Sequence, residues 1–242
     1  MRHLVWFSCG AASAVAAKIA LDIYPEAEIL YCDTLAYEHP DNTRFMGDIE
    51  SWIGKKVKIL SSPTYTDIYD VFRKTKWLVG PKGARCTTEL KKKVRQAYQD
   101  YDDIHIFGLT ADEQKRIQSF ETNNIDLTFA WILQEAKITK TDCYKIIQKV
   151  GIDLPVMYKL GYNNNNCLGC VKGCKGYWNK IRVDFPDIFQ KMSNMERELN
   201  VAICKTYING KRHPTFLDEL DPNDGNNIPM PDIECGLLCL DY

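Results

Sequence analysis

The residues best suited to chemistry in this chain are cysteines, of which there are 10 among 242 residues. Cys167 and Cys170 form a C-x-x-C pair, and Cys174 follows closely. Cys235 and Cys239 form a second pair, spaced C-x-x-x-C. Thiolates at such spacings can bind one zinc ion or one iron–sulfur cluster. We therefore expect several of these thiols to ligate a metal, the alternative being unrelated free thiols.

Composition sets the class of protein in which these thiols act. Hydrophobic residues make up 45% of the chain and charged residues 26%, as in ordinary soluble globular proteins. The 31 basic and 32 acidic side chains give a net charge of −1, which argues against a protein that mainly coats nucleic acid. The N-terminus lacks a signal-peptide pattern, and no apolar run approaches the length of a membrane span. We expect a cytoplasmic protein without membrane association, whose cysteines stay reduced.

A second candidate site lies between the apolar run His3–Phe7 and the alanine-rich helical pattern Ala11–Tyr24. A loop that enters a helix offers backbone N–H groups to phosphate, and a glycine lets the ligand approach closely. The serines add hydroxyl groups, and the cysteine has a small side chain. The residues assigned to this phosphate-binding loop are Ser8, Cys9, Gly10 and Ser13. A plain strand-to-helix turn is the alternative.

Polar residues follow two further segments. Asp33 comes directly after the apolar run Glu28–Cys32, where it could accept hydrogen bonds from a ribose, or cap a turn. Arg85 and Lys91 lie at the start of a basic helical pattern and could bind phosphate or sulfate. The alternative for this basic segment is a solvated helix face.

A last group of polar residues follows the apolar run Ile104–Gly108. Gly108 ends that run, and Glu113 and Arg116 lie one helical turn apart on one helix face. We assign all three to the nucleotide-binding crevice, with a surface ion pair as the alternative for Glu113 and Arg116.

The elements that must position these residues alternate between strands and helices. Strands are predicted at His3–Phe7, Glu28–Cys32, Val57–Leu60 and Ile104–Gly108. Helices are predicted at Ala11–Tyr24, Thr43–Ile53, Thr66–Thr75, Thr87–Tyr101, Ala111–Glu121, Thr139–Val150 and Tyr177–Asn200, the last with a break near Pro186. This alternation predicts an open, mostly parallel α/β sheet with helices on both faces, followed by a helical, cysteine-rich C-terminal region.

We divide the chain into a nucleotide-binding α/β domain over residues 1–155 and a cysteine-rich helical region with a C-terminal tail over residues 156–242. The tail from Gly210 is rich in proline, aspartate and asparagine and shows little periodicity.

Taken in order, these segments resemble the phosphoadenosine phosphosulfate (PAPS) reductase family, a branch of the adenine-nucleotide α-hydrolase-like, or PP-loop, superfamily. Ser8–Ala14 resembles the loop S-F-G-x-x-x-A, and Arg85–Lys91 resembles the segment R-x-C-x-x-x-[LR]-K. Leu154–Tyr162 followed by Cys167–Cys170 resembles P-x-Y-x-x-G-Y … G-C-x-x-C. Glu234–Leu237 resembles the start of the terminal motif E-C-G-L-H.

The sequence departs from the family's patterns at several positions. PP-loop ATP pyrophosphatases have an aspartate where this chain has Ala12, which favours a sulfonucleotide over ATP. Cys86 stands alone where cluster-bearing members have two adjacent cysteines, and Leu238 replaces the final histidine. The segment Gly173–Arg182 is similar to a subfamily common in bacteriophages and mobile elements.

The resemblance implies that an adenine nucleotide, PAPS or ATP, binds over the strand ends. Cys235 would be the catalytic nucleophile that attacks sulfur, and a thioredoxin-like thiol would then release sulfite. A 4Fe–4S cluster, or zinc in its place, would be ligated by Cys86, Cys167, Cys170 and Cys239. Cys174 and Cys235 are the other candidates for the fourth ligand, and a ligand role for Cys235 would exclude the reductase mechanism.

Two other functions stay open. One is a PP-loop ATP pyrophosphatase that acts in nucleic-acid modification or thiolation. The other is a non-catalytic nucleotide-binding protein with a structural metal. Basic runs such as Lys91–Lys93 would serve a nucleic-acid partner, but the net charge of −1 favours solvated faces. A homodimer is also left open.

Overall fold

The structure, a computed structural model, describes residues 1–80 and 83–225. Its strands are β1 His3–Trp6, β2 Glu28–Cys32, β3 Lys58–Leu60, β4 Val79–Gly80, β5 Gly83–Ala84, β6 Ile104–Phe107, β7 Thr128–Phe129, β8 Cys204–Ile208 and β9 Lys211–Thr215. Its helices are α1 Ala11–Ile23, α2 Asp41–Ile53, α3 Ile68–Thr75, α4 Arg85–Thr87, α5 Lys93–Tyr98, α6 Gln114–Asn123, α7 Ile132–Glu135, α8 Lys140–Lys149, α9 Val156–Lys159, α10 Lys175–Asp184 and α11 Pro186–Leu199. A π-helical turn, Thr88–Lys92, connects α4 to α5, and 3₁₀ turns span Leu35–Tyr37 and Leu217–Glu219.

Five parallel strands form the central sheet, in the order β3-β2-β1-β6-β7. The pairs β4–β5 and β8–β9 are antiparallel and belong to separate small sheets. Parallel neighbours need crossover connections, which α1 supplies between β1 and β2 and α2 between β2 and β3. The α/β class and the parallel sheet that the sequence predicts are therefore confirmed.

Different helices cover the two faces of the sheet. Side chains alternate along a strand, so Leu4 and Trp6 face one side while Val5 faces the other. The Leu4 side packs against α5 and α6, and the Val5 side packs against α1, α2 and α8. Leu4 and Val5 are completely buried, and each such side chain contributes about 2 kcal/mol relative to exposure in water.

A third apolar cluster joins distant parts of the chain. It packs Phe72 of α3 against Trp178 of α10 and Met192 of α11, all three completely buried. The cluster thus contains residues from both sides of the boundary predicted at residue 155. That division into two regions stays a prediction.

Two local signals in the sequence act as the patterns predict. Thr139 begins α8 with a capping box, in which its side chain accepts the Asp142 N–H and the Asp142 carboxylate accepts the Thr139 N–H. Pro186 is the first residue of α11 and separates it from α10, where a break is predicted. No helix of the described ranges is long and apolar enough to cross a membrane.

The tail from Gly210 contains a strand, β9, although its sequence shows little periodicity. β8 and β9 form a hairpin around Asn209 and Gly210, whose φ angles are 51° and 74°. Two successive residues with positive φ make the turn that suits a twisted two-stranded ribbon. The Asn-Gly dipeptide is the signal that periodicity alone did not capture. The predicted helix Ala111–Glu121 also starts later, at Gln114.

Candidate functional site

The loop after β1 is closed by hydrogen bonds among its own residues. The Ser8 N–H donates to Ser13 Oγ at 3.1 Å, and the Ser8 hydroxyl approaches the same oxygen at 3.2 Å. Ser13 Oγ in turn donates to the Gly10 carbonyl at 2.9 Å. Ser13 is buried whereas Ser8 is exposed. The Ser13 hydroxyl therefore shapes the loop, and the Ser8 hydroxyl is the one that a ligand can reach.

Gly108 fixes where this loop meets the sheet. A Cβ atom at Gly108 would lie 2.5 Å from the Ser13 backbone nitrogen and 2.8 Å from the Ala12 carbonyl carbon. Any side chain here would collide with the first turn of α1, so only glycine allows the two backbones to touch. β1 and β6 are adjacent, while β2 and β3 extend to the other side of β1, so the strand order reverses here. Open α/β sheets bind ligands at such a switch point, outside the carboxyl ends of the strands.

Tyr158, to which the sequence prediction gave no role, lies against the same loop. A Cβ at Gly10 would lie 3.3 Å from the Tyr158 hydroxyl oxygen. The backbone amides of Ala11 and Asn165 lie close to that oxygen. Burial raises the pKa of Tyr158, and the two amides oppose the rise. The hydroxyl therefore stays neutral and lies beside the first backbone amide of α1.

A chain of buried polar side chains holds the Cys9 carbonyl. Cys9 has a left-handed backbone with φ of 54°, which costs a non-glycine residue about 1 kcal/mol. The Asn165 amide group donates to the Cys9 carbonyl and to Asn42 Oδ1, both at 2.7 Å. Asn42 donates to Glu38 at 2.6 Å, and Thr34 donates to the other Glu38 oxygen at 2.7 Å. These contacts stabilise the unusual backbone and fix the loop from below.

The two thiols at the strand ends are poor nucleophiles. Burial raises the pKa of Cys9, and the charge of Glu38 raises it further. Burial also raises the pKa of Cys32 to about 12. The Lys91 ammonium opposes both shifts, so it faces the two thiols and adds positive potential at this edge. Both cysteines remain protonated at neutral pH and serve as small side chains under the crevice.

Asp33 and Arg85 occupy different environments. Asp33 is exposed directly after β2, and its carboxylate accepts a hydrogen bond from the Ser61 hydroxyl at 3.0 Å. Arg85 pairs with Glu89 at 2.8 Å, and Lys93 contacts the other oxygen of that carboxylate at 2.8 Å. Glu89 is only 2% exposed. Two cations on one carboxylate leave one positive charge in excess at this helix start.

Glu113 and Arg116 meet, as their spacing predicts. Arg116 Nη1 lies 2.5 Å from Glu113 Oε1. The other Glu113 oxygen accepts hydrogen bonds from the Thr110 N–H and hydroxyl, both at 2.9 Å. Both carboxylate oxygens therefore hold the connection between β6 and α6 in place. Neither side chain is more than 29% exposed, so this is a half-buried pair at the edge of the sheet.

The C-x-x-C turn is built around an aromatic side chain. The Tyr177 hydroxyl accepts the Cys170 N–H at 2.9 Å and donates to the Cys167 carbonyl at 3.3 Å. Gly169 between them has a φ of 69°, and a Cβ there would lie 2.8 Å from Ile188 Cγ2. The glycine is therefore required both for the turn and for its packing against α11.

Three of the predicted metal ligands lie around one apolar cluster. Cys170 is buried in this cluster and Cys86 packs against it, and the Cys167 thiol lies near Tyr37 and Tyr69, which are part of the same packing. Within residues 1–80 and 83–225, no three His, Cys, Asp or Glu side chains form a group that could hold a metal ion. Two predicted site residues, Cys235 and Cys239, lie outside the described residues.

The last described residues are fixed to the start of α10. Gly176 and Gly225 touch through their backbones, since a Cβ on Gly225 would lie 2.4 Å from the Gly176 nitrogen. Lys175 pairs with Asp224 at 2.7 Å, and the Asn179 amide donates to the Asp224 carbonyl at 2.8 Å. The chain therefore leaves its described part beside the N-terminus of α10, at which Cys174 is the capping residue.

Comparison with known proteins does not supply a family. No family model matches the chain, and no curated protein matches it. Function therefore has to be inferred from the residues and from the geometry at the carboxyl edge of the sheet.

Proposed function

We propose that this chain is a PAPS reductase-like enzyme that binds an adenine sulfonucleotide and releases sulfite in a thiol-dependent reaction. The observation that carries the proposal is the backbone contact between Gly108 and the first turn of α1. It places the Ser8–Ser13 loop at the switch point of a parallel sheet, where this fold class binds its ligands. Phosphate at this position would meet the N-terminus of α1.

Positive charge around the loop supports an anionic substrate. Lys91 adds potential beside Cys9 and Cys32, and the Arg85–Glu89–Lys93 group carries one excess positive charge. A sulfonucleotide carries charge on both its phosphate and its sulfate groups. In this proposal Lys91 is the cation that acts on the thiols of the crevice, and Arg85 adds charge through the group it forms with Glu89 and Lys93.

The proposed reaction has two steps. The Cys235 thiolate attacks the sulfur of the sulfonucleotide, which forms a cysteine–sulfur bond and breaks the bond between that sulfur and the phosphate-linked oxygen. The nucleotide phosphate leaves with the electron pair. A thiol of a cytoplasmic, thioredoxin-like dithiol then attacks the Cys235 sulfur and releases sulfite, and its second thiol reduces the resulting mixed disulfide.

The proposed 4Fe–4S cluster, or zinc, would be held by Cys86, Cys167, Cys170 and Cys239, and would cross-link distant parts of the chain. Neither step above is routed through it. Because Cys239 lies outside the described residues, this assignment depends on metal analysis of the protein.

The test is sulfite release from PAPS by the anaerobically purified chain with a dithiol reductant. We expect Cys235→Ser to abolish turnover and to retain bound metal, whereas Cys239→Ser should lose the metal. Loss of metal from Cys235→Ser would make that residue a ligand and refute the mechanism. Pyrophosphate release from ATP would instead support a PP-loop ATP pyrophosphatase, and binding without either activity would support a non-catalytic nucleotide-binding protein.

A further inference from the structure

The β8–β9 hairpin is the most basic exposed element that the proposed reaction does not use. Residues 204–215 contain Lys205, Lys211 and Arg212 and no aspartate or glutamate. Within the described ranges none of the three forms an ion pair, unlike Arg197 nearby in the fold, which pairs with Asp218 at 2.6 Å. Three unpaired cations on twelve residues make a local field that the net charge of the whole chain conceals.

The pairing register of the hairpin places two of its cations and its tyrosine on one face. Lys205 is opposite Pro214, and Tyr207 is opposite Arg212. Because alternate residues share a face, these four side chains lie together, and all four are exposed. Tyr207 is 62% exposed and lies between a cation about 7 Å along its strand and a cation directly across from it.

The opposite face anchors the hairpin to the rest of the protein. Cys204 is buried there, the hydroxyls of Thr206 and Thr215 are 2.8 Å apart, and Lys175 of α10 donates to Thr206 at 2.7 Å. The fully buried Glu196 accepts the N–H groups of two residues that flank the hairpin, Ile203 at 2.5 Å and Leu217 at 2.6 Å. The exposed face is therefore held in a fixed shape before any partner binds.

We propose that the Lys205–Tyr207–Arg212 face binds single-stranded nucleic acid. An exposed aromatic ring offers a surface on which a base can stack, and flanking cations contact phosphates along the strand. The positive charges of Lys205 and Arg212 favour a negatively charged polymer as the partner. The exposed ring of Tyr207 favours a polymer that carries bases. The exposed Ile208 lies on the opposite face from Tyr207, so the two do not form one apolar tip for insertion into a lipid surface. This inference is independent of the proposed sulfonucleotide chemistry.

The test measures fluorescence anisotropy of a labelled oligo-dT 20-mer with the full chain at two salt concentrations. Oligo-dT contains no adenine, so the proposed nucleotide crevice is not its target. With the two cations of this face contacting phosphates, affinity should fall about sevenfold between 50 and 200 mM salt, from a slope of about −0.7 per contact. The double variant Lys205→Gln/Arg212→Gln keeps no cation on this face, so its affinity should be lower and should change little over the same range.

Two further variants complete the design. Tyr207→Ala should weaken binding about tenfold at either salt concentration, because it removes one stacking surface. Lys145→Gln/Lys149→Gln is the matched control: it removes two exposed lysines of α8 and should leave binding unchanged. Circular dichroism shows whether each variant folds.

Three results would overturn the proposal. One is the absence of wild-type binding at 50 mM salt. Another is an equal loss of affinity in the hairpin variant and in the α8 control. The last is binding to phosphatidylserine vesicles without binding to the oligonucleotide, which would assign the hairpin face to anionic lipid.

Discussion

Replacing Gly108 with alanine tests the geometry on which the nucleotide site depends. The added Cβ would lie 2.5 Å from the Ser13 nitrogen, and ordinary contact begins at 3.4 Å, so the first turn of α1 must move by about 0.9 Å. All three atoms nearest to the added methyl group, the Ser13 nitrogen, the Ser13 Cα and the Ala12 carbonyl carbon, belong to the backbone, so no side-chain rotation relieves the contact. We expect the free energy of unfolding to fall by about 1–3 kcal/mol, the usual range for overpacking. For a chain of 242 residues that corresponds to a melting temperature lower by roughly 3–10 °C.

The same displacement should weaken nucleotide binding more than it weakens the fold. The Ser8–Ser13 loop moves with α1, so its amides leave the positions that a phosphate would occupy. Calorimetric titration with adenosine 3′,5′-bisphosphate measures this effect at a temperature where the variant is folded. We expect at least a tenfold loss of affinity.

Gly47→Ala is the matched control for this substitution. Gly47 is exposed in the middle of α2, and a Cβ there meets no atom within 4 Å. Alanine should therefore stabilise the helix by about 1 kcal/mol and leave nucleotide affinity unchanged. If Gly108→Ala melted at the wild-type temperature and bound the nucleotide equally well, the close backbone contact and the site built on it would both be refuted.

Three further predictions concern buried polar groups. Burial raises the pKa of Glu196 to about 7, so the free energy of unfolding of the wild type should fall as the pH rises from about 4.5 to 7. Measured by urea unfolding, this fall should be about 3 kcal/mol larger than in Glu196→Gln, which has no carboxyl group to titrate. Asn165→Ala leaves the Cys9 carbonyl and the Asn42 amide oxygen without donors and should cost about 2–4 kcal/mol by the same assay. Tyr158→Phe removes a hydroxyl that lies beside the amides of Ala11 and Asn165 and should lower the melting temperature by several degrees.

The central sheet could be predicted because its signals are local. β2 begins and ends where the apolar run Glu28–Cys32 does, and α1 begins at Ala11 as the alanine-rich pattern indicates. The capping box at Thr139 and the proline that begins α11 are likewise contained within a few residues. Hydrophobic periodicity reflects which side chains are buried, and caps reflect which backbone groups at helix ends find hydrogen-bond partners. Residues close together in the sequence largely decide both.

Short elements and long-range contacts escaped prediction for a different reason. β7 has two residues and α7 has four, too few for either to show a period. The bond from Asn165 to the Cys9 carbonyl joins residues 156 positions apart, and no local pattern marks either partner. Gly108 was assigned to the crevice from its position at a strand end, but its steric reason became visible only in the contact with Ser13.

These long-range contacts determine how the loop and the cysteine-rich region depend on each other. Tyr158 and Asn165 both follow the boundary predicted at residue 155, yet Tyr158 lies beside Ala11 and Asn165 donates to the Cys9 carbonyl. Asn165 lies only two residues before Cys167 in the C-x-x-C turn. Tyr177 fixes that turn in the described structure, and a metal would fix it in the proposed enzyme. In either case the turn also positions Asn165, whose amide group holds Cys9 in its left-handed conformation. The cysteine-rich region can thus shape the proposed nucleotide site without contacting the nucleotide.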